Sequence, residues 1–472
     1  MERVRARRTD PVIGMLLFAL IWMFISWFGS WELNANNAVR MFAAISLVEH
    51  GDATIDEFAP LTIDKAVFGG HTYLDKAPGM TLAAVPAVAA VTWATGERSA
   101  EQSKHSDDAR MARFLRIRQW AAVASGPALL TAIAAVLLYD IGFGLTGRTG
   151  AAAFGALGYA LGTPIWGWST TLSGHAAVAA LYLIAIWCFL RIPHVTAGLI
   201  GGAALGWAVT VEYQAALAGL VIAGWAAWRW QTSSAGRQAT LAAAIGGIAA
   251  LLPLAGYNLF AFGTPFHVGY SGVVGFEGMN QGLFGLAWPR LDVLRKILLG
   301  DRRGLFWVAP VLLAAPLGLI ALARGQGTRA LAAMAAIAAT IVLLVNAAYF
   351  YWDGGNSTGP RHAMPAVALL AIGLAPWWAR LQTVNGRWLA GALLVLSIAI
   401  NAVIASAEIF SPPGFHHPFW GYVVEQQFLH GHLRTFPSMW LGWPHWHGFF
   451  AWAVIAAVLS AALLVRVRRL PA

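Results

Sequence analysis

The segment QATLAAAIGGIAALLPLAGYNLF, residues 238–260, contains 23 residues and no charged side chain. As an α-helix it would be about 35 Å long, enough to cross a hydrocarbon core about 30 Å thick. Comparable apolar runs recur from end to end of the 472-residue chain. They predict about twelve membrane-spanning helices, at 11–31, 119–141, 150–172, 176–192, 195–212, 213–229, 238–260, 304–323, 329–351, 362–379, 388–406 and 447–465.

The composition excludes a soluble globular protein. Hydrophobic residues make up 58% of the chain and charged residues only 11%, whereas an average globular chain is about 25% charged. The mean hydropathy is +0.63. The 50 glycines and 23 tryptophans are typical of polytopic membrane proteins, where glycine allows close helix packing and tryptophan lies at the interfaces. We therefore predict an all-α polytopic membrane protein, with residues 1–472 in a single membrane domain.

Basic residues indicate the orientation of the helices. Arginines cluster at the head and at the tail of the chain, which predicts by the positive-inside rule that both termini are cytoplasmic. The first apolar run lacks a small-residue cleavage site and is expected to remain as an anchor. The number of crossings is then even, so we expect 78–96 to be a re-entrant or interfacial helix. The six Lys and Arg residues of 97–118 favour the alternative, a further crossing.

This orientation places most of the acidic residues outside the cytoplasm. Three large segments and a short one form the outer loops: 32–118, 261–303, 407–446 and 352–361. The inner side holds Glu2, Asp10 and Asp140, so 18 of the 21 acidic residues lie outside. Acidic residues contribute little to topology. Their concentration therefore points to a charged working surface on the outer side.

The first outer segment begins with an amphipathic stretch. In 35–49 apolar residues such as Val39 and Phe42 recur at helical spacing, while Arg40 and Glu49 lie off that stripe. This pattern predicts a helix that lies on the membrane surface.

Two Asp-Lys pairs follow that stretch, Asp64-Lys65 and Asp75-Lys76, and the second directly precedes an apolar helix. A lysine at a helix N-terminus beside the bilayer is suited to bind phosphate. A nearby carboxylate can act as a general base toward an acceptor hydroxyl, and the candidates are Asp56, Asp64 and Asp75. The alternative is a pair of exposed ion bridges, each worth less than about 1 kcal/mol.

The order of these features resembles the GT-C class of polyprenyl-phosphate-sugar-dependent glycosyltransferases, in particular the protein O-mannosyltransferases and the lipid A aminoarabinose transferases. The first outer loop of those families carries an acid shortly before an arginine, and then an acidic-Lys-Pro-Pro motif. The string DKAP at 75–78 matches the second part. The first part departs from the pattern, because Asn37 stands where the acid is expected before Arg40. The resemblance implies a GT-C-like helical bundle and a catalytic base whose identity stays open.

Arginines later in the chain add candidate ligands for the phosphate of a donor. Arg302 and Arg303 precede an apolar helix, and Arg361 ends the string GGNSTGPR. All three lie on the outer side, where topology does not favour arginine, and a guanidinium binds phosphate bidentately. Together with Lys65 and Lys76 they are the predicted donor-phosphate ligands. The alternative is snorkelling onto lipid headgroups.

Five further residues are candidates for binding the acceptor or the sugar: Arg40, His175, Glu212, Tyr270 and His362. An acid at the end of a spanning helix, as at Glu212, is costly in lipid and is by default functional or paired. For His175 the alternative is a capping or interfacial histidine.

No metal site is predicted, because the histidines of the late outer loop have few nearby carboxylates and no cysteine beside them. The sequence shows no requirement for a cofactor and leaves the use of a divalent metal open. The single cysteine, Cys188, excludes an intramolecular disulfide. Nucleic acid is excluded as a partner because the outer cations are dispersed among acids.

The resemblance and the placement of charge together predict an inverting glycosyltransferase of the cell (inner) membrane. It would move a hexose or pentose from a polyprenyl-phosphate carrier to a lipid, glycan or protein acceptor outside the cytoplasm, with membrane lipids as further partners. The main alternative is a transporter or flippase of a lipid-linked sugar, although the paired repeats typical of transporters are not visible. A scaffold and a ligase that transfers whole glycans are two further alternatives.

Overall fold

The computed structural model of the chain describes residues 9–29, 31–191 and 193–470. These residues are mostly helical. The α-helices, numbered in chain order, are α1 Pro11–Trp27, α2 Ala35–Glu49, α3 Gly79–Thr95, α4 Ala109–Ser125, α5 Pro127–Thr146, α6 Thr149–Ala160, α7 Ile165–Trp168, α8 Gly174–Leu190, α9 Val195–Val211, α10 Ala215–Trp230, α11 Ser234–Phe262, α12 Leu291–Leu299, α13 Leu305–Val308, α14 Ala315–Ala323, α15 Arg329–Ala348, α16 Met364–Ala371, α17 Leu374–Ala379, α18 Val384–Ala407, α19 Phe436–Trp440 and α20 His445–Arg469.

Shorter elements lie mainly in the outer loops. Six 3₁₀ segments are described, at Asp56–Leu61, Ser99–Glu101, Gly269–Gly272, Glu277–Asn280, Pro310–Ala314 and Arg361–Ala363, and a π-helix spans Pro418–Phe428. The strands β1 (Ala66–Phe68) and β2 (His71–Tyr73) form an antiparallel hairpin. Its turn is Gly69-Gly70, and both residues have positive φ, as a two-residue hairpin turn of the favoured hand requires. The sequence pattern did not predict this hairpin. The all-α fold class is otherwise confirmed.

Helices occur at all of the predicted spans. Five described helical segments are long and apolar enough to cross a membrane: Ala109–Thr146, Ser234–Phe262, Arg329–Ala348, Val384–Ala407 and His445–Arg469. Five apolar segments are shorter: Pro11–Trp27, Gly79–Thr95, Gly174–Leu190, Val195–Val211 and Pro310–Ala323. The expected helix at 78–96 is therefore present as α3, and the number of crossings stays a prediction.

Four predicted spans are interrupted rather than continuous, and the first of them, 119–141, divides into α4 and α5 at Gly126. The span 150–172 divides into α6 and α7 around Gly162-Thr163-Pro164, and 362–379 divides into α16 and α17 near Gly373. In 304–323 the break precedes Pro310, which has no amide hydrogen to donate to the helix. Each break exposes backbone groups that a continuous helix would use internally, and this is tolerated at membrane depth because the surrounding helices cover them.

Helix α2 corrects one expectation. We predicted an amphipathic helix exposed on the membrane surface, but Asn37 to Ser46 are buried on all sides, including the Arg40 side chain, which is 1% exposed. Contacts from α3 and α4 cover the face that carries the charge. The sequence pattern could not reveal this cover, because it comes from segments 40 to 80 residues further along the chain.

The bundle has a basic end, where arginines bind the carbonyl groups at helix C-termini. Arg148 donates to Ala379 O of α17 at 2.6 Å, and Arg380 donates to Ala321 O of α14 at 3.1 Å. Arg466 of α20 pairs with Asp10, the N-cap of α1, at 2.6 Å. The first and the last described residues of the chain thus lie at the same end of the helical bundle, as predicted. That this end is cytoplasmic stays a prediction.

Glycines allow α9 and α11 to pack with their backbones in contact. Gly198, Gly202 and Gly206 are spaced four residues apart on one face of α9. A Cβ atom on any of them would overlap a carbonyl oxygen of α11; at Gly202 this is the oxygen of Ala243. Small residues at such spacing are the usual means of close approach between helices in a membrane. This contact fixes the position of the C-terminal end of α9, where Glu212 follows.

We expect Gly202→Ala to lower the free energy of unfolding by about 1–3 kcal/mol, because the added methyl group overpacks the helix contact. The measurement is the thermal unfolding midpoint of purified protein in detergent. The matched control is Gly224→Ala in α10, where a Cβ atom meets nothing within 4 Å. The control should be neutral or stabilised by up to about 1 kcal/mol, since alanine is the better helix former. Equal stabilisation by both changes would contradict the close contact.

Candidate functional site

Asn37, where the resembled families have an acid, is held in the core by both ends of its amide. Its Nδ2 donates to Gln119 Oε1 at 2.7 Å and to Trp31 O at 3.0 Å, while its Oδ1 accepts from Leu172 N at 2.7 Å. An aspartate could not make the two donated bonds. Asn37 therefore joins α2 to α4 and to the segment before α8, and the carboxylates of the site come from elsewhere.

Lys76 joins two predicted carboxylates in a single buried contact. Its Nζ lies 2.9 Å from Asp64 Oδ2 and 2.7 Å from Asp75 Oδ2. Both aspartates are buried, with 8% and 4% exposure. Lys76 lies three residues before Gly79, whose lack of a side chain lets α3 approach the backbone of Thr210 in α9. The first outer loop is thereby fixed against the outer end of α9.

Arg40 and Glu212 form a second buried pair beside the first. Arg40 Nη2 lies 3.2 Å from Glu212 Oε1, and Arg40 Nη1 donates to Asn36 O and Oδ1, both at 2.7 Å. The same glutamate oxygen is 3.9 Å from Nδ1 of His175, a nitrogen with no hydrogen-bond partner among the described residues. Glu212 caps the end of α9 and His175 lies in the first turn of α8.

Arg361 brings a third cation to this place. No hydrogen bond or ion pair joins its guanidinium to a described residue; it lies over the buried Trp168 ring, with Cζ 5.7 Å from the centroid. Its charge acts on Asp64 and Glu212. A guanidinium carries five donors and is always charged, and those of Arg361 make no hydrogen bond within the described part of the chain.

His362 and Tyr270 lie next to these charged groups. The rings of His362 and His175 lie edge to face, 4.7 Å apart, and His362 also contacts the Tyr349 ring at 5.4 Å. Tyr270 is within the electrostatic reach of Glu212 and Asp75 and packs on Tyr213 at 5.6 Å. We call the following eight residues the charged cluster: Arg40, Asp64, Asp75, Lys76, His175, Glu212, Arg361 and His362.

The two aspartates on Lys76 respond oppositely to the cluster. Burial alone would raise the pKa of Asp64, but the charges of Lys76 and Arg361 outweigh it and hold that pKa below its usual value. For Asp75 burial dominates, and together with the neighbouring Asp64 charge it raises the pKa of this carboxyl despite Lys76. Asp64 is thus the more readily ionised of the two, and Asp75 holds a proton more readily.

Five predicted residues lie outside the charged cluster: Tyr270, which borders it, and Asp56, Lys65, Arg302 and Arg303. Asp56 is largely exposed and accepts from His71 Nδ1 at 2.7 Å and from Thr72 N at 2.6 Å. Lys65 Nζ donates to Ala59 O at 2.8 Å. Arg302 and Arg303, which precede α13, bind the loop that ends at Arg361.

Arg302 and Arg303 hold the loop that carries Arg361. Arg302 pairs with Asp353 at 2.8 Å, and the buried Arg303 donates to the carbonyls of Asp353 at 2.8 Å and Gly355 at 2.6 Å. Gly354 has a positive φ of 72°, and a Cβ atom there would come within 3.0 Å of the Arg361 side chain. A glycine turn fastened by Arg303 therefore determines where Arg361 points.

A pocket opens beside the cluster, between α8, α10, α15 and α16. The space in it open to the centre of a water-sized sphere is about 20 Å³, and the surrounding atom-free volume of about 450 Å³ includes open solvent. Its polar lining is His175, Tyr182, Glu212, Gln214, Asn346, Tyr349 and His362. The remaining lining, such as Val178 and Ile341, is mostly apolar. An apolar pocket with a few convergent polar groups is the usual form of a ligand site.

Sequence reasoning missed Trp168, Tyr349 and the structural role of Asn37. Trp168 lies seven residues before His175, and Tyr349 lies at the end of an apolar run. Neither carries a local signal, because a tryptophan or tyrosine near a membrane interface is expected for anchoring alone. No group of three metal-ligating side chains that could hold an ion is found among the described residues.

The sequence matches no protein-family model and no curated protein. Two solved structures are similar to it over 97% of its length. One is ArnT from Cupriavidus metallidurans bound to undecaprenyl phosphate, with 15% identity over 71% of that chain and a TM-score of 0.47. The other is the same protein in the apo state, with 16% identity over 72% and a TM-score of 0.49. Identity and TM-score are too low to assign an activity, so the functional conclusion rests on the residues of this chain.

Lys76→Met should lower the free energy of unfolding by about 3 kcal/mol near pH 7.5, because it leaves two buried carboxylates without their cation. Without Lys76 the pKa values of Asp64 and Asp75 in the folded state rise above those in the unfolded chain. The folded state then binds protons more tightly, so the loss should shrink as the pH falls toward 4. Thermal unfolding midpoints across this pH range measure the effect.

The control is Lys296→Met, which breaks an exposed pair with Asp292. Exposed pairs contribute about 0–1 kcal/mol, so this midpoint should stay near that of the wild type at every pH. A Lys76→Met protein as stable as the control would contradict the buried bridge.

Proposed function

We propose that this protein is an integral membrane glycosyltransferase of the GT-C kind. It transfers a sugar from a polyprenyl-phosphate carrier to a hydroxyl or amine of a lipid, glycan or protein. The reaction takes place at the extracytoplasmic face of the inner membrane and inverts the anomeric carbon. The observation that carries this proposal is the guanidinium of Arg361. It makes no ion pair with a described residue, although it belongs to a buried cluster of carboxylates and cations.

The position of the cluster suits a carrier phosphate. His175 lies in the first turn of α8, a helix of 17 residues that ends beside Arg191 at the basic end, a length of about 25 Å. The cluster therefore lies near the end of the bundle away from Arg191, a position that would suit a lipid-linked phosphate at the edge of the apolar core. A transporter site would be expected near the midplane.

The charge of the cluster also suits an incoming anion. Arg40, Lys76 and Arg361 balance Asp64, Asp75 and Glu212 when all six are ionised. A proton on Asp75, whose pKa is raised by burial, leaves one net positive charge. Arg361 has free donors for the phosphate oxygens, and Lys76 adds a point charge nearby. Both stabilise the charge that develops on the phosphate as the sugar leaves.

The reaction is a single displacement. The acceptor oxygen or nitrogen attacks the anomeric carbon, and the bond from that carbon to the phosphate oxygen breaks with its electron pair. The phosphate stays on the polyprenyl carrier, held by Arg361. The proton of the acceptor passes to a carboxylate of the cluster. No covalent intermediate with the protein is needed, and inversion follows from one displacement.

Transfer should depend on Arg361. Purified protein in nanodiscs receives radiolabelled polyprenyl-phosphate mannose, glucose or arabinose, with membrane extract as the source of acceptor. Arg361→Gln should lower transfer by about 100-fold or more, the usual loss when a donor to a developing oxyanion is removed. Asp64→Asn and Asp75→Asn should lower it too, because each releases Lys76 from its position. The sugar that moves also distinguishes a hexosyl from a pentosyl transferase.

Matched controls are Arg295→Gln and Asp292→Asn, two exposed charges of α12, which should transfer at the wild-type rate. If the label stays on the carrier with every donor while the protein moves the carrier between leaflets, the protein is a flippase and not a transferase.

A further inference from the structure

Glu212 differs from the two first-loop aspartates in what it faces. It lines the pocket, together with His175, Tyr349 and His362. Asp64 and Asp75 are not part of that lining, and one oxygen of each is held by Lys76. A group that takes a proton from the acceptor must lie within hydrogen-bond reach of it. Of the three carboxylates, Glu212 is the one placed at the pocket wall.

The backbone around Glu212 is built to bring its carboxylate to this wall. The chain leaves α9 at Glu212 with an extended conformation, φ −147° and ψ 116°. The carboxylate then lies against Gly174, the first residue of α8, where a Cβ atom would overlap Glu212 Oε1. Only glycine leaves room for this approach. The N-terminus of α8 favours the negative charge.

The contacts of Glu212 leave one oxygen free. Oε1 accepts from Arg40 Nη2 at 3.2 Å, which fixes the orientation of the carboxylate. Oε2 makes no hydrogen bond to a described residue, and the nearby His175 Nδ1, 3.9 Å from Oε1, also has no partner. An oriented carboxylate with a free oxygen at a pocket wall has the geometry of a general base.

From this placement we infer that Glu212 is the general base of the proposed reaction. This inference rests on the proposed transferase function and names the carboxylate that acts in it. The acceptor proton moves to Glu212 as the acceptor atom bonds to the anomeric carbon, and it leaves to water after the product departs. Arg40 is then a positioning residue that holds the carboxylate, and Lys76 with its two aspartates serves the donor side.

The ionisation of Glu212 is set by groups from every element packed around it. Titratable and charged groups facing it are Arg40 of α2, Asp75 and Lys76 before α3, His175 of α8, Tyr213 after α9, Tyr270 after α11, Tyr349 after α15, and Arg361 and His362 before α16. A base must be ionised to accept a proton. The rate of sugar transfer by the wild type should therefore rise with pH on the acidic side of the pH profile. We call this rise the acid limb.

The test measures kcat and KM against pH for purified wild type and variants in nanodiscs, with the donor that the wild type uses. Glu212→Gln should lower kcat by about 100-fold or more, leave KM for the donor within about threefold, and lose the acid limb. The amide oxygen of the variant can still accept from Arg40, so folding should be retained. The thermal unfolding midpoint checks this.

Two further variants separate a base from a structural residue. Glu212→Asp keeps a carboxylate but withdraws it by about 1 Å, so it should keep the acid limb with kcat lowered by at least about tenfold. If Glu212→Gln does not fold, the Glu212→Asp variant alone tests the role of Glu212. Asp75→Asn should keep the acid limb whatever its rate. Glu277→Gln, an exposed glutamate of an outer loop, is the matched control and should behave as the wild type.

Three outcomes would overturn the inference. In the first, Glu212→Gln transfers within threefold of the wild type and keeps the acid limb. In the second, Asp75→Asn loses the limb and Glu212→Gln keeps it, which would make Asp75 the base within a valid transferase. In the third, the wild type moves no sugar from any donor, and the proposed function falls together with the inference.

Discussion

Six ionisable side chains buried at one end of the bundle constrain the surrounding structure. Removing one partner from a buried ion pair costs about 3–5 kcal/mol, so these charges are stable only as a set. Lys76 serves two carboxylates at once, at 2.7 and 2.9 Å, and Arg40 serves Glu212 at 3.2 Å. The set draws on the first outer loop, α2, the end of α9 and, for Arg361, the segment before α16. Its formation therefore requires that the helices be correctly packed.

The scaffold around the cluster consists largely of glycines and structural arginines. Gly79 lets α3 approach α9, Gly174 leaves space for the Glu212 carboxylate, and Gly354 leaves space for Arg361. Arg303 fastens the loop of Gly354 through two carbonyl groups. Among the described residues of the charged cluster, Arg361 is the cation that makes no ion pair or hydrogen bond with its guanidinium. A site with one unsatisfied cation and one carboxylate at a pocket wall is suited to binding a phosphate and accepting a proton.

Sequence reasoning was most successful where a single segment carries the signal. Apolar run length located the helices, and the DKAP string and GGNSTGPR led to Lys76, Asp75 and Arg361, which the structure brings together. It was less successful where the signal depends on distant segments. The helix at 35–49 has an amphipathic pattern yet is buried, because α3 and α4 cover its charged face. The separation of Asp56 from Asp64 was equally invisible, since both are loop aspartates in the same segment.

The sequence by itself determined that the chain is a helical membrane protein, and it predicted that the acidic residues concentrate in loops on the outer side. Hydropathy and charge are sums over local residues and need no knowledge of contacts. Only the tertiary structure decided which charges pair and which stay free, that Asn37 is a packing residue, and that Glu212 reaches the pocket. Those outcomes depend on distances between residues far apart in the chain, such as Arg40 and Glu212, which are 172 positions apart. The strength of a charge interaction depends on such distances and on burial.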